Sequence, residues 1–274
     1  MKRIFVLLII SILCQSNMVA QSYFEKFVVP FQAGDMAKAE KALQEWDLND
    51  SSNPELYVAY FNFFTVKSLE KDSTKFDRQY AKKALEFISE GIDRFPTRFD
   101  MRYAKISMLG QLEEYTPFTN EVVKMIEYSK TINNDWKEGG FALISDVDVV
   151  IDGAVNEAQQ TLFAATEKDT SLYKNILRIS DVMLKTFPKN ISALNNIASV
   201  HLDKKQYDKA IENLQKAKDI EPSNARLQYK IGYIYGLKKD KANARKYYEM
   251  AVKNATDSDK AYKDAAQKQL DAMK

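Results

Sequence analysis

Residues 191–224 read ISALNNIASVHLDKKQYDKAIENLQKAKDIEPSN, and their spacing decides the fold. Leu194, Ile197, Ala198 and His201 recur at the three- and four-residue steps that share one helical face. Tyr207, Ala210, Leu214 and Ala217 do the same on a second segment. Pro222 ends that segment, because proline lacks the N–H and its ring clashes with the preceding turn. Where two helix backbones cross closely the side chain must be small, and Ala198, Ala210 and Ala217 occupy such positions. Leu194, Ile197, Tyr207 and Leu214 fill the space around them, while Ser223 and Asn224 offer oxygens to cap the next helix. One antiparallel helix pair leaves apolar surface uncovered, so a neighbouring pair must cover the remainder.

Residues 225–258 supply that neighbour in the same frame. Ile231-Gly232 stands where Ile197-Ala198 stood, Tyr235 replaces His201, and Ala244, Tyr248 and Ala251 replace Ala210, Leu214 and Ala217. Thr256 holds the place of the closing proline. The two units resemble the tetratricopeptide repeat, a 34-residue helix–turn–helix whose signature is a large residue, Leu-Gly, Tyr, then Ala, Phe and Pro at fixed offsets. The resemblance implies an all-α fold, a right-handed superhelical solenoid of roughly five antiparallel helix pairs. The expected organisation is a signal peptide over 1–20, degenerate repeats with an irregular middle over 21–190, two clear repeats over 191–258 and a capping helix over 259–274.

Outward from this stretch the pattern loosens. Helices are expected over 21–33, despite Pro30, and over 36–46, around a Gly34-Asp35 turn. A loop over 47–53 leads to a strongly apolar helix opened by Pro54. After a polar insertion at 71–75, residues 78–95 carry Ala84, Ile88 and Gly91 at repeat spacing. Pro96, Pro188 and Pro222 each close a second helix; the last two are 34 residues apart and the first two 92, which is not a whole number of repeats. Between them, 100–112 and 118–131 read as a helix pair and 133–140 as a loop. Residues 141–165 read as one long helix, with VDVVI (147–151) open to a short strand, and 171–187 as its partner.

Glycine and proline number only eight and six, which favours helix over strand. Lys2 and Arg3, the apolar run 4–13 and Met18-Val19-Ala20 read as a secretory signal cleaved after Ala20, the run being too short to span a bilayer. Leu13 precedes Cys14, the only cysteine, so lipid anchoring through Cys14 is not expected and the mature chain has no thiol. The signal and repeat together resemble exported bacterial repeat proteins, which implies a periplasmic or secreted location. Removing Lys2 and Arg3 from the 40 basic residues leaves 38 against 38 acidic ones, a balance without the basic excess of a nucleic-acid binder.

Catalytic chemistry finds little to stand on. His201, the only histidine, occupies a packing position, and one histidine without a mature cysteine cannot build an ordinary zinc site. Asp146, Asp148 and Asp152 lack the spacing and closing glutamate of a calcium loop. No catalytic residue, metal or cofactor is expected. The functional expectation comes from the resemblance: the first helix of each repeat lines a concave groove that takes a protein or an extended peptide. Carried over, the groove residues are Ser192, Asn195, Ser199 and Leu202, then Arg226, Tyr229, Tyr233 and Leu237. The family's carboxylate clamp is not expected, since Asn195 stands at a clamp lysine position and Ser199 at an asparagine position. Two alternatives remain: an envelope glycan or peptidoglycan binder stacking sugars on Trp136 and the groove tyrosines, and a hydrolase using carboxylates of the irregular middle.

Overall fold

The computed structural model describes residues 18–69, 76–139, 141–142 and 147–273. The expected signal segment up to residue 17 with Cys14, the polar insertion at 71–75 and Asp146 lie outside the described residues. The chain forms two compact units, residues 1–154 and 155–274.

In the first unit, α1 (Met18–Gln32) pairs with α2 (Met36–Asp50), α3 (Pro54–Ser68) with α4 (Arg78–Arg94), and α5 (Phe99–Gln111) with α6 (Tyr115–Thr131). Helix α2 runs four residues past Trp46, so most of the loop expected over 47–53 is helical. Helix α3 is apolar on every face, and all ten residues from Leu56 to Thr65 are buried. Gly91 of α4 lets α3 approach, since a β-carbon there would lie 2.8 Å from the Tyr57 β-carbon.

The expectation of one helix over 141–165 is corrected. Strands β1 (Lys137–Glu138) and β2 (Phe141–Ala142) form an antiparallel hairpin around Gly139-Gly140, and α7 (Val147–Thr166) begins only afterwards. Paired glycines between short runs are a hairpin signal, and Gly139 has a φ of +53°, open to glycine at little cost. The VDVVI run is helical, not a strand. Hairpin backbone reaches the first unit's core edge through Lys137 N–H, which donates to the Thr97 carbonyl at 2.9 Å.

The second unit holds the rest of α7, then α8 (Tyr173–Thr186), α9 (Ile191–Asp203), α10 (Tyr207–Ile220), α11 (Ala225–Leu237), α12 (Lys241–Asn254) and α13 (Lys260–Asp271). Six helix pairs and a terminal helix therefore replace the five expected pairs among the described residues. Ala198, Ala210 and Ala217 are buried at the crossings, as are Ala244, Tyr248 and Ala251 in the next pair. Asn190 and Asn224 cap α9 and α11, accepting from the N–H of Ala193 at 2.7 Å and of Leu227 at 3.0 Å. Helix α13 lays Ala266 and Leu270 on the α12 side and turns its charges outward, as a terminal cap requires.

Candidate functional site

Two first helices, α9 and α11, run side by side in the second unit, and the eight residues expected in a groove fall on them. Asn195 on α9 and Lys230 on α11 are tied directly, the Lys230 Nζ donating to Asn195 Oδ1 at 2.5 Å. Asn196 continues the polar line toward α7, donating to Asn156 Oδ1 at 3.4 Å. Ser199 is turned back on its own helix and donates to the Asn195 carbonyl at 3.0 Å. Ser192 is half-buried.

The aromatic side of the face is built on α11. Tyr229 is wedged 5.8 Å from the rings of both Tyr248 and Tyr262 and stacks at 6.5 Å on Tyr233. Burial, then the neighbouring Tyr233 and Tyr262, push its hydroxyl pKa up. Tyr229 is therefore in part a packing residue, while Tyr233 and Leu237 are the surfaces left open, each 41% exposed. Leu202 is half-buried against the core of the α9–α12 block and lends the face little. Exposed Arg226 holds its guanidinium 5.0 Å from the Tyr262 ring centroid.

Lys230 was not among the residues singled out from the sequence. Counting three and four residues from Arg226 selects Tyr229 and Lys230 equally, and only the tyrosine was taken. Burial, and after it the charge of Arg226, hold its ammonium pKa below the ordinary lysine value. Lys230 is thus partly desolvated among amide and hydroxyl groups beside exposed Arg226, whose charge also reaches Asp259, and no carboxylate is ion-paired with Lys230 among the described residues. Such a face favours an incoming anion, because the anion relieves a repulsion already present.

Elsewhere the residues of the other readings are engaged. Trp136 is fully buried, donates from Nε1 to Ser129 Oγ at 2.8 Å and packs edge-on to Phe99 and Tyr128. It cannot stack on a sugar, so the glycan alternative loses that residue. The buried acids of the irregular middle are ion-paired: Asp100 takes both Arg98 Nε (2.7 Å) and Nη2 (2.6 Å), and Glu121 meets Arg102 at 3.3 Å and Lys105 at 3.0 Å. His201 Nδ1 lies 2.7 Å from Gln206 Oε1 and braces the turn after α9. Asp148 accepts from Asn134 at 2.9 Å, and no cluster of metal-ligating side chains occurs among the described residues. No described helix is long and apolar enough to cross a membrane.

The family models that match fall on the same part of the chain. A TPR-repeat family model matches residues 198–239 and a tetratricopeptide-repeat model matches residues 225–257. No curated protein matches at a significant level. Among solved structures, YrrB, titled a TPR protein with an unusual peptide-binding site, is 13% identical, covering 83% of this chain and 98% of its own, with a TM-score of 0.44. MamA from Desulfovibrio magneticus RS-1 is 15% identical over 71% of this chain and 94% of its own, with a TM-score of 0.41. The TPR domain of P58(IPK) is 16% identical over 91% and 65%, with a TM-score of 0.32.

Proposed function

We propose that this chain, whose residues 198–257 are tetratricopeptide repeats, is a non-catalytic interaction module of the bacterial cell envelope that binds a protein or an extended peptide across α9 and α11. The envelope part of this reading rests on the basic and apolar character of residues 1–20. The groove part rests on one observation: Lys230 is partly buried beside exposed Arg226, with no carboxylate ion-paired to it among the described residues. The segment bound here carries a carboxylate, as an acidic side chain or a chain terminus. That group bonds the Lys230 ammonium and the Arg226 guanidinium. Asn195 and Asn196 offer amides to the peptide backbone, and Tyr233 gives stiff contact area beside them.

The chemistry predicts a trade between stability and binding. A desolvated ammonium without a counter-charge costs folding free energy, which replacement by an apolar chain of similar length removes. The Lys230→Met variant should therefore melt above the wild type at neutral pH. The folded-state pKa of Lys230 is lowered, so the unfolded chain holds its proton to higher pH than the folded one. Stability consequently rises as pH climbs through the lowered pKa, and the gap between variant and wild type closes on the alkaline side. Panning a random peptide library with free carboxyl termini should enrich acidic sequences on the wild type, and these should not bind Lys230→Met. Enriched peptides that lack acidic side chains and bind equally well with amidated termini, or equal binding by the variant, would remove the reading.

A further inference from the structure

Four of the turns that join the two helices of a pair share one backbone geometry. Gly34, Glu113, Lys205 and Lys239 sit at the same step after their helices with φ of 76°, 59°, 57° and 63°. In each, that residue's N–H bonds back three residues and the next N–H bonds back five, the 5→2 and 6→1 pair of a Schellman ending. Glycine suits this conformation and an L side chain is strained in it, yet the second unit puts lysine there twice, one repeat apart. The two turns adjoin, since Lys238 of the second pairs with Asp208 at the start of α10.

Acids lie near these lysines: Asp208 is offset by an ion pair, while Asp203 and Asp240 are bonded to neutral groups and keep their charge, so the edge is positive only through its excess of lysines. Asp203 accepts from the Tyr173 hydroxyl at 3.1 Å, Asp208 holds Lys238, and Asp240 caps α12 through Asn243 at 3.1 and 2.7 Å. Lys205, Lys239 and Lys241 are exposed and have no ion-pair partner among the described residues. Leu237, the last residue of α11 and 41% exposed, stands next to them.

We propose that this turn edge is a peripheral contact for an anionic phospholipid surface, with Lys205, Lys239 and Lys241 against headgroup phosphates and Leu237 entering the interface. The residue types favour a lipid surface over an acidic polypeptide. All three cations are lysines, point charges on flexible stems, and none is fixed by a second hydrogen bond as Lys230 is. A mobile layer of phosphates needs no fixed donors, and an apolar side chain among the lysines suits the acyl boundary. The contact adjoins the groove face at Leu237, the end of α11, and its lysines take no part in the groove reading.

The test is cosedimentation of the full chain with phosphatidylcholine vesicles, with and without phosphatidylglycerol. The apolar segment over 4–13 contributes alike to variant and wild type, so their difference isolates the edge. The wild type should bind the phosphatidylglycerol vesicles more strongly, with the excess lost at high salt. The Lys205→Glu/Lys239→Glu variant should lose that binding by about tenfold or more. Glutamate is tolerated at this step, as Glu113 shows, and a wild-type melting curve checks the fold. Equal sedimentation of variant and wild type would overturn the proposal. So would no preference for phosphatidylglycerol, or retention on immobilised polyglutamate without vesicle binding, which would make the partner an acidic polypeptide.

Discussion

Glycine has opposite meanings at two places in this chain. At Gly232 a β-carbon would fall 2.9 Å from Tyr248 Cδ1 and 3.2 Å from the Ala244 carbonyl oxygen, whereas at Gly153 nothing lies within 4 Å. Both are inside helices, where alanine is the better helix former. Gly153→Ala should therefore stabilise the protein, by about 0.5–1 kcal/mol. Gly232→Ala should destabilise it, by about 1–3 kcal/mol, because Tyr248 is fully buried and cannot retreat. Thermal melts of the two variants should move in opposite directions; a rise for both would mean that α11 and α12 are less tightly packed than described. At the turns the sign reverses again: Lys205→Gly and Lys239→Gly should each gain about 0.5–1 kcal/mol, since glycine carries no penalty in the left-handed region.

Between elements, the same closing geometry repeats wherever a proline follows. Phe95, Phe187 and Glu221 have φ of −127°, −125° and −124°, and each donates its N–H to the carbonyl four residues back. The proline that follows excludes the α region for the residue before it, which fixes where the helix stops. From each of these prolines to the left-handed turn residue of the next pair is seventeen residues, in all three cases. This punctuation made α8 to α13 legible from sequence to within a few residues. The spacing of 92 between Pro96 and Pro188 holds two helix pairs, α5–α6 and α7–α8, and the hairpin segment between them, whose added length breaks the 34-residue count. The hairpin itself was missed because its apolar residues continue the three-and-four stepping of α7, and only Gly139-Gly140 marks the break. Ion pairing was not legible either. Arg98 is buried with its guanidinium shared between Asp100 and Glu55, 2.8 Å away, residues 43 apart in the chain in the latter case. Burial works against that charge, and the two carboxylates more than offset it. Arg98→Ala should cost about 3–5 kcal/mol by leaving both acids unpaired, read as a loss of melting temperature in the full chain.

Across the whole molecule, the two units differ in what their first helices leave open. In the first unit α3 is buried on all sides, so it offers no lining for a ligand. In the second, α9 and α11 keep an accessible face with two cations and two open apolar side chains. Of the eight residues that the resemblance assigned to this face, Tyr233 and Leu237 are open and Asn195 and Arg226 lie beside Lys230 and Tyr262. Lys230 escaped because helical spacing gives direction but not depth, and its importance comes from being desolvated. Tyr229 was overvalued for the same reason, its ring being committed to Tyr248 and Tyr262. The most direct test of the groove is site-specific photocrosslinking in native cells, with the reactive residue at Tyr233 or, as control, at exposed Lys216 on α10. A discrete protein captured from Tyr233 but not from Lys216, and lost when Arg226→Ala and Lys230→Met are added, is the predicted result. Capture of the same proteins from both positions, or capture from Tyr233 unchanged by the charge removals, would contradict it.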